Sequence, residues 1–433
     1  MKPSNIRAIA FVVVLSVRAS LPVAGAEDRP GFDGTVNLSD LRSYTLENNP
    51  DIRSAEQRWR AAQARPSQEG SLPDPMVNTA YHNESFDRFT QGGSDFSWLR
   101  FGIEQEIPFP GKLSLKEEVA THVADREGAM YRATTLNVLT RLRVAYSDYF
   151  VSFKSLEIIG KNKQLLEKLT HAAEARYRVG NGLQQDVLRA QVELSTLLGR
   201  LTSLEQARQA RAAELNAVMN RPPFDALGSP APIEKSSLTY SLDDLERLAR
   251  ERSPYLEAAR YDVDRAESSL DLAERQYYPD FVVRADYYNK AALVPEWEIG
   301  AGIRVPLYFW RKQTFGVDEA AAGVGEARAG RQSAVQDVLA KIKEFHAQAT
   351  SADRLVGLYG SAVVPQADRS LTSALAGYQV GDVDFLTVLN SFTVLNEYQL
   401  RYYEERANFE KALARLEEAA GILSEAAGGG RLP

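Results

Sequence analysis

The chain has 433 residues, a formal net charge of −7, four histidines, four methionines and no cysteine. The missing cysteine excludes disulfides, thiolate metal sites, a cysteine nucleophile and a lipid-bearing N-terminal cysteine. The mild acidity gives no reason to expect nucleic acid as a partner, and the length allows two or three domains.

Residues 1–26 read as a signal peptide. Lys2 and Arg7 form a positive start, Ala8–Val17 a short apolar run, and Ala24-Gly25-Ala26 a small-residue cleavage site. The run is too short to cross a hydrocarbon core of about 30 Å, and Arg18 interrupts its end. No later segment approaches about 18 consecutive apolar residues. An exported chain of this kind is either soluble or spans a membrane as a β-barrel.

The mature part is written twice. Residues 38–220 and 242–424 pass through the same elements, joined by a Pro-, Ser- and Ala-rich linker at 221–241. LSDLRSYTLENNPDI from Leu38 answers LDDLERLARERSPYL from Leu242. LPDPMVNTAYH from Leu72 answers YPDFVVRADYY from Tyr278, so Tyr81 matches Tyr287. IEQEIPFPGK from Ile103 answers GIRVPLYFWRK from Gly302, so Pro108 matches Pro306. A period near 200 residues is too long for a solenoid unit of about 20–50. It implies a duplicated half-molecule with pseudo-twofold character. Each half is too elongated to bury its own core, so residues 27–433 are expected to form one interlocked domain.

Each half carries two stretches of period-2 alternation. Leu99, Phe101, Ile103 and Ile107 alternate with Arg100, Gly102, Glu104 and Glu106. Trp297, Ile299, Ala301, Ile303, Val305 and Leu307 alternate with Glu298, Gly300, Gly302 and Arg304. Val77, Thr79 and Tyr81 form a weaker strand, as do Phe281, Val283, Ala285 and Tyr287, with Arg284 and Asp286 on the opposite face. Half-buried hairpins of a soluble sandwich alternate in this way. So do lipid-exposed strands around a wet lumen, which Arg100, Glu104, Arg284, Asp286, Glu298 and Arg304 would line. Trp98, Tyr287, Tyr288, Trp297 and Trp310 are candidates for an interfacial girdle. Four strands cannot close alone, and open edges are forbidden in lipid. Two copies would give a filled eight-stranded barrel and three a twelve-stranded pore, which the charged face favours.

Everything else reads helical. Lys112–Arg178 contains no proline, and Leu136, Leu139, Leu142, Ala145, Tyr149, Phe153 and Leu156 recur at helical spacing. Val187, Ala190, Leu194, Leu197, Leu201 and Leu204 continue the seam after Gly180-Asn181-Gly182, as in a coiled coil. The second half repeats it from Val388 to Leu416, with Pro365 expected to break the ascending helix. The hairpins turn near Gly180 and Gly381, at the end opposite the strands. The fold class expected is mainly α with a small β part.

The duplicated order, the turns Tyr177-x-Val179-Gly180 and Tyr378-x-Val380-Gly381, and the DVLRAQVEL run from Asp186 together resemble the TolC family of outer-membrane efflux channels. IPFPGK (Ile107–Lys112) resembles the strand-to-helix junction of the family's heavy-metal branch. The resemblance implies a homotrimer in outer-membrane lipid, with four strands per chain in a twelve-stranded barrel continued by an α-barrel. It also implies docking to a periplasmic adaptor and an inner-membrane pump of the resistance–nodulation–division (RND) class. Gly180, Asn181, Gly182 and Gly381 would then be adaptor-contacting turns.

Family members constrict the periplasmic tip with carboxylates after these turns. Asp186 matches that position, whereas Thr387 and Asn390 depart from the acidic pattern, leaving Asp382 and Asp384 as substitutes. The alternative is that these aspartates are solvated turn residues favoured by helix dipoles. No GxSxG, HExxH or glycine-rich phosphate loop appears, so no enzyme is expected. His82, His122, His171 and His346 lack ligand spacing, so neither a metal site nor a cofactor is expected. IPFPGK favours metal cations as cargo, with organic drugs or a secreted polypeptide as alternatives.

Overall fold

A computed structural model describes residues 31–233 and 236–422; the segment read as a signal peptide lies outside them. Helices α1 (Leu38–Asn48), α2 (Pro50–Gln63) and α3 (Arg65–Glu69) lead to strands β1 (Met76–His82) and β2 (Trp98–Ile107). Helices α4 (Lys112–Arg178) and α5 (Gln184–Val218) follow. The same succession then recurs as α6 (Leu242–Arg252), α7 (Pro254–Arg275), β3 (Asp280–Asn289), β4 (Glu296–Arg304), α8 (Gln313–Leu358), α9 (Val364–Val380) and α10 (Phe385–Ala420).

Local chemistry sets the helix starts. The Asn49 side chain accepts from the N–H groups of Asp51 and Ile52, and Pro50 sits at the first turn, where its missing N–H is not needed. The Asn49 amide also donates to the Val218 carbonyl at 2.8 Å, tying α2 to the end of α5. Pro254 opens α7 in the same way.

α4 holds 67 residues, a length of roughly 100 Å at about 1.5 Å per residue. Its distal half packs with α5, α9 and α10 through Ile159, Leu166, Leu197, Leu371, Phe385 and Phe392, all buried. Burying each such side chain stabilises by about 1.5–3 kcal/mol. Within this apolar seam Asn162 donates to Asn396 at 2.9 Å, fixing the register of α4 against α10. A second core forms around Leu41, Leu142, Tyr149, Leu215 and Met219. There the Tyr146 hydroxyl donates to the Val36 and Ala231 carbonyls. Burial pushes that phenol up to about 12.

Pro365 does not break the helix. Residues Tyr359–Val363 widen into a π turn, and α9 continues directly from it with Pro365 in its first turn. The wider turn accommodates a residue that has no N–H to give and a ring that would otherwise strike the preceding carbonyl.

The four strands form one antiparallel sheet in the order β1-β2-β3-β4. The hairpins of the two halves join through β2 and β3, leaving β1 and β4 as edges.

The halves are also joined by a buried charge network. Arg143 of α4 donates to Glu410 at 2.6 Å and Glu417 at 2.8 Å, both on α10. Ser236 adds its N–H and hydroxyl to Glu410, each at 3.0 Å. The Glu410 side chain is only 3% exposed. Burial raises the Glu417 carboxyl above its usual range, with Arg143 the chief opposing influence. The folded chain therefore holds that proton more readily than the unfolded chain. Its contribution is full at low pH and lost as pH rises through the folded value.

Arg143→Met leaves the buried Glu410 and the half-buried Glu417 without their shared cation, at an expected cost of about 3 kcal/mol at pH 8. The loss should shrink toward pH 5 as Glu417 takes up a proton. Thermal unfolding at both pH values measures this, and an equal loss at each would contradict the network's role.

Candidate functional site

The sheet has two chemically distinct faces, and the register shows which residues share each one. Arg100 lies opposite Tyr288, Gly102 opposite Asp286 and Glu104 opposite Arg284. Asp286 in turn lies opposite Glu298, and Asp280 opposite Arg304. Arg100, Glu104, Arg284, Asp286, Glu298 and Arg304 therefore share one face. Arg284 donates to Glu298 at 2.9 Å, and the Tyr288 hydroxyl donates to the other oxygen of Glu298 at 2.8 Å. Arg304 pairs with Glu106. Asp286, 5% exposed at its side chain, lies 3.6 Å from the Arg100 Nε.

Gly102 makes room for this network: a Cβ there would come within 2.3 Å of an Asp286 carboxylate oxygen. The opposite face carries Val77, Phe101, Ile103, Val283, Tyr287, Ile299 and Ile303, all exposed, with Trp297 at 75%.

The girdle assignment requires correction for two residues. Trp98 has the strand parity of Arg100 and stacks on His82 with ring centroids 5.2 Å apart. Tyr288 meets Trp98 edge-on at 5.0 Å. Both lie on the polar face, whereas Tyr287 and Trp297 lie opposite each other on the apolar one.

At the foot of the sheet, IPFPGK builds the corner into α4. The Phe109 N–H donates to Asp280 at 2.8 Å, and the Phe109 ring stacks on Tyr278 at 4.6 Å. Lys112, 4% exposed at its side chain, donates to Asp280 at 2.8 Å and to the Tyr278 carbonyl at 2.9 Å. Gly111 takes φ +95°, which turns the chain into the helix. One half's corner is thus clasped to the start of the other half's first strand.

At the other end the hairpin turns meet. Gly180 and Gly381 adopt left-handed backbone at φ +77° and +93°. Arg176, at the end of α4, donates to the Tyr378 carbonyl, lies 4.7 Å from that ring's centroid, and reaches the Asn181 carbonyl at 3.3 Å. Burial raises the Tyr378 phenol, Arg176 opposes the rise and Asp186 adds to it. Asp186 occupies the first turn of α5, beside this group.

Asp384 caps α10 by accepting from the Thr387 N–H at 2.9 Å. Hydrogen bonds from Thr387 hold its carboxyl below the usual range, with Arg189 contributing. Asp382 and Asn390 are exposed. Sequence reasoning passed over Arg176 and the Lys112–Asp280 pairing, because nothing local distinguishes either basic side chain. Among the described residues no helix is long and apolar enough to cross a membrane. No cluster of three or more His, Asp or Glu among them is disposed to hold a metal ion.

The family model described as outer membrane efflux protein matches residues 41–221 and 245–422. The chain belongs to the outer membrane efflux protein family. The outer membrane protein TolC of Vibrio cholerae is 24% identical over 413 residues, covering 90% of this chain and 91% of that protein. The cobalt-zinc-cadmium resistance protein CzcC of Cupriavidus metallidurans is 22% identical over 412 residues, covering 88% and 91%. The solved structure of CusC, described for its transmembrane channel formation, superposes with a TM-score of 0.78 at 14% identity, covering 90% of this chain and 94% of that one.

The protein is accordingly an efflux channel of the outer membrane rather than an enzyme, with its helical barrel in the periplasm. Its fold is that of these channels, in which four strands per chain contribute to a β-barrel shared by three copies.

Proposed function

We propose that the protein is the exit duct of a tripartite system that expels heavy-metal cations. In this reading a homotrimer in outer-membrane lipid receives cargo through a periplasmic adaptor from an inner-membrane RND pump. The observation that carries the metal reading is the nearly end-to-end relationship to CzcC, a cobalt-zinc-cadmium resistance protein. The IPFPGK corner, with its Lys112–Asp280 clasp, agrees with it.

Passage through the duct requires a wet path and a tip that opens. The polar sheet face would supply the barrel lumen, with Arg100, Glu104, Arg284, Glu298 and Arg304 facing water and Asp286 buried among them. Opposite charges alternate along it, which leaves no single-sign barrier to ions. The tip would be the gate, with Asp186, Asp382, Asp384, Thr387 and Asn390 near the constriction. Threefold symmetry turns each into a ring, and an acidic ring lowers the barrier for cations. Arg176, fastening one hairpin to Tyr378 of the other, would hold the tip closed. Gly180, Asn181, Gly182 and Gly381 form the turns that an adaptor would meet.

Growth of a deletion strain and its complemented parent across copper, silver, zinc, cobalt, cadmium, dyes and detergents tests the cargo. Sensitivity confined to one or two metals is expected; sensitivity to dyes and detergents alone would reassign the channel to organic compounds. Asp186→Asn should weaken block by a trivalent cation in single-channel recordings several-fold. An unchanged block removes Asp186 from the constriction.

A further inference from the structure

The loops at the outer end of the sheet differ between the two halves. Residues 290–295 join β3 to β4, whereas the much longer segment 83–97 joins β1 to β2. The long loop is folded by its own polar groups. Asn83 is the hub: its side-chain oxygen accepts from the Tyr81 hydroxyl at 2.8 Å, the Thr90 N–H at 2.9 Å and the Thr90 hydroxyl at 3.0 Å. Its amide donates to the Ser85 and Arg88 carbonyls. Ser97, fully buried, accepts from the Glu84 N–H at 3.1 Å and pairs with the Thr90 hydroxyl. Gln91 donates to the Asn289 carbonyl at 3.3 Å, and Asp95 lies 3.9 Å from the buried Lys290 ammonium, so the two loops are fastened together.

This satisfied polar frame carries side chains that do not suit water. Phe86 is fully exposed and Phe89 is 87% exposed. Two apolar rings held out by a folded loop mark an interaction surface. The place of Phe89 identifies what covers it. Its ring centroid lies 5.8 Å from that of Tyr81, which has the strand parity of Val77 and Thr79 on the apolar face. Phe89 therefore continues the lipid-facing surface past the end of β1. Tyrosine and tryptophan suit the headgroup level because their polar tips stay wet. A phenyl ring has no such tip, and its favoured surrounding is hydrocarbon.

We propose that loop 83–97 dips into the outer leaflet, with Phe86 and Phe89 seated among lipid acyl chains and Asn83 holding the loop in that shape. The inference rests on the outer-membrane placement above and adds a lipid contact outside the strands. The helices leave the opposite end of the sheet, so the loop meets the leaflet away from the periplasm. Three copies set three anchors around the barrel. They would oppose axial displacement of a duct whose helices extend roughly 100 Å to one side.

The absence of native cysteine allows single nitroxide labels to report the surroundings of each ring. Phe86→Cys, Phe89→Cys and, on the apolar strand face, Ile299→Cys would be labelled in the full chain. The protein would then be reconstituted into vesicles of phosphatidylethanolamine and phosphatidylglycerol. Oxygen concentrates among acyl chains and a neutral nickel chelate in water, so their relative collision rates distinguish the two. The Phe86→Cys and Phe89→Cys labels should collide with oxygen in excess of nickel, as the Ile299→Cys label does. Nickel excess at both loop labels, with oxygen excess at the strand label, would place the loop in water and overturn the anchor. Few collisions with either reagent would mean that protein covers the rings, and overturns it equally. Nickel excess at all three labels would remove the lipid-facing reading of the sheet itself.

A second variant tests the hub. Asn83→Ala combined with the Phe89→Cys label should shift that label's collisions from oxygen toward nickel. Unchanged collisions would take Asn83 out of the anchor.

Discussion

Along the outer sides of β1 and β4 runs a row of backbone N–H and C=O groups with no partner strand among the described residues. In hydrocarbon each such group costs several kcal/mol, because no water is present to satisfy it. The apolar face of the same sheet is exposed from Val77 to Ile303 and requires a hydrocarbon surrounding to be stable. A single chain cannot meet both demands. Assembly into a closed ring meets them together, and the remainder of the molecule is organised around that closure. The charged side chains on the other face then neutralise one another within the sheet, as Arg284 does with Glu298.

The helices convert the closed ring into a conduit. The corner at Gly111 turns β2 into a helix of roughly 100 Å, long enough to carry the duct well beyond the membrane. The Lys112–Asp280 clasp sits where lipid-facing strands end and water-facing helices begin, so it fixes the angle at which the two barrels meet. Far from it, the seam of Leu, Ile and Phe side chains between α4, α5, α9 and α10 holds the hairpins as a stiff pair. At their ends, beside Gly180 and Gly381, the apolar seam closes on Tyr378 and Phe385, and Arg176 adds polar contacts across to the second hairpin.

Much of this is legible in the chain because two periodicities dominate it. The alternation of Trp297, Ile299, Ala301 and Ile303 with Glu298 and Gly300 reports a strand with one apolar face, and the lengths of α4 and α10 follow from uninterrupted helical spacing. The misassigned aromatics were also readable: Trp98 shares the parity of Arg100, and Tyr288 that of Asp286. Counting aromatics by their place near strand ends conceals this. Pro365 misled for a different reason, since a proline predicts lost hydrogen bonds but not the π turn that absorbs the loss. Arg176 was not legible at all. Its contact with Tyr378 spans 202 positions and depends on how two hairpins lie side by side.

The central claim is that this sheet is complete only in company. The most direct test is the mass of the detergent-extracted protein, measured by light scattering with the detergent contribution subtracted. The account predicts three times the protomer mass, in a species whose strands are protected from amide exchange along both edges. A folded, single-chain species with an intact four-stranded sheet would contradict it.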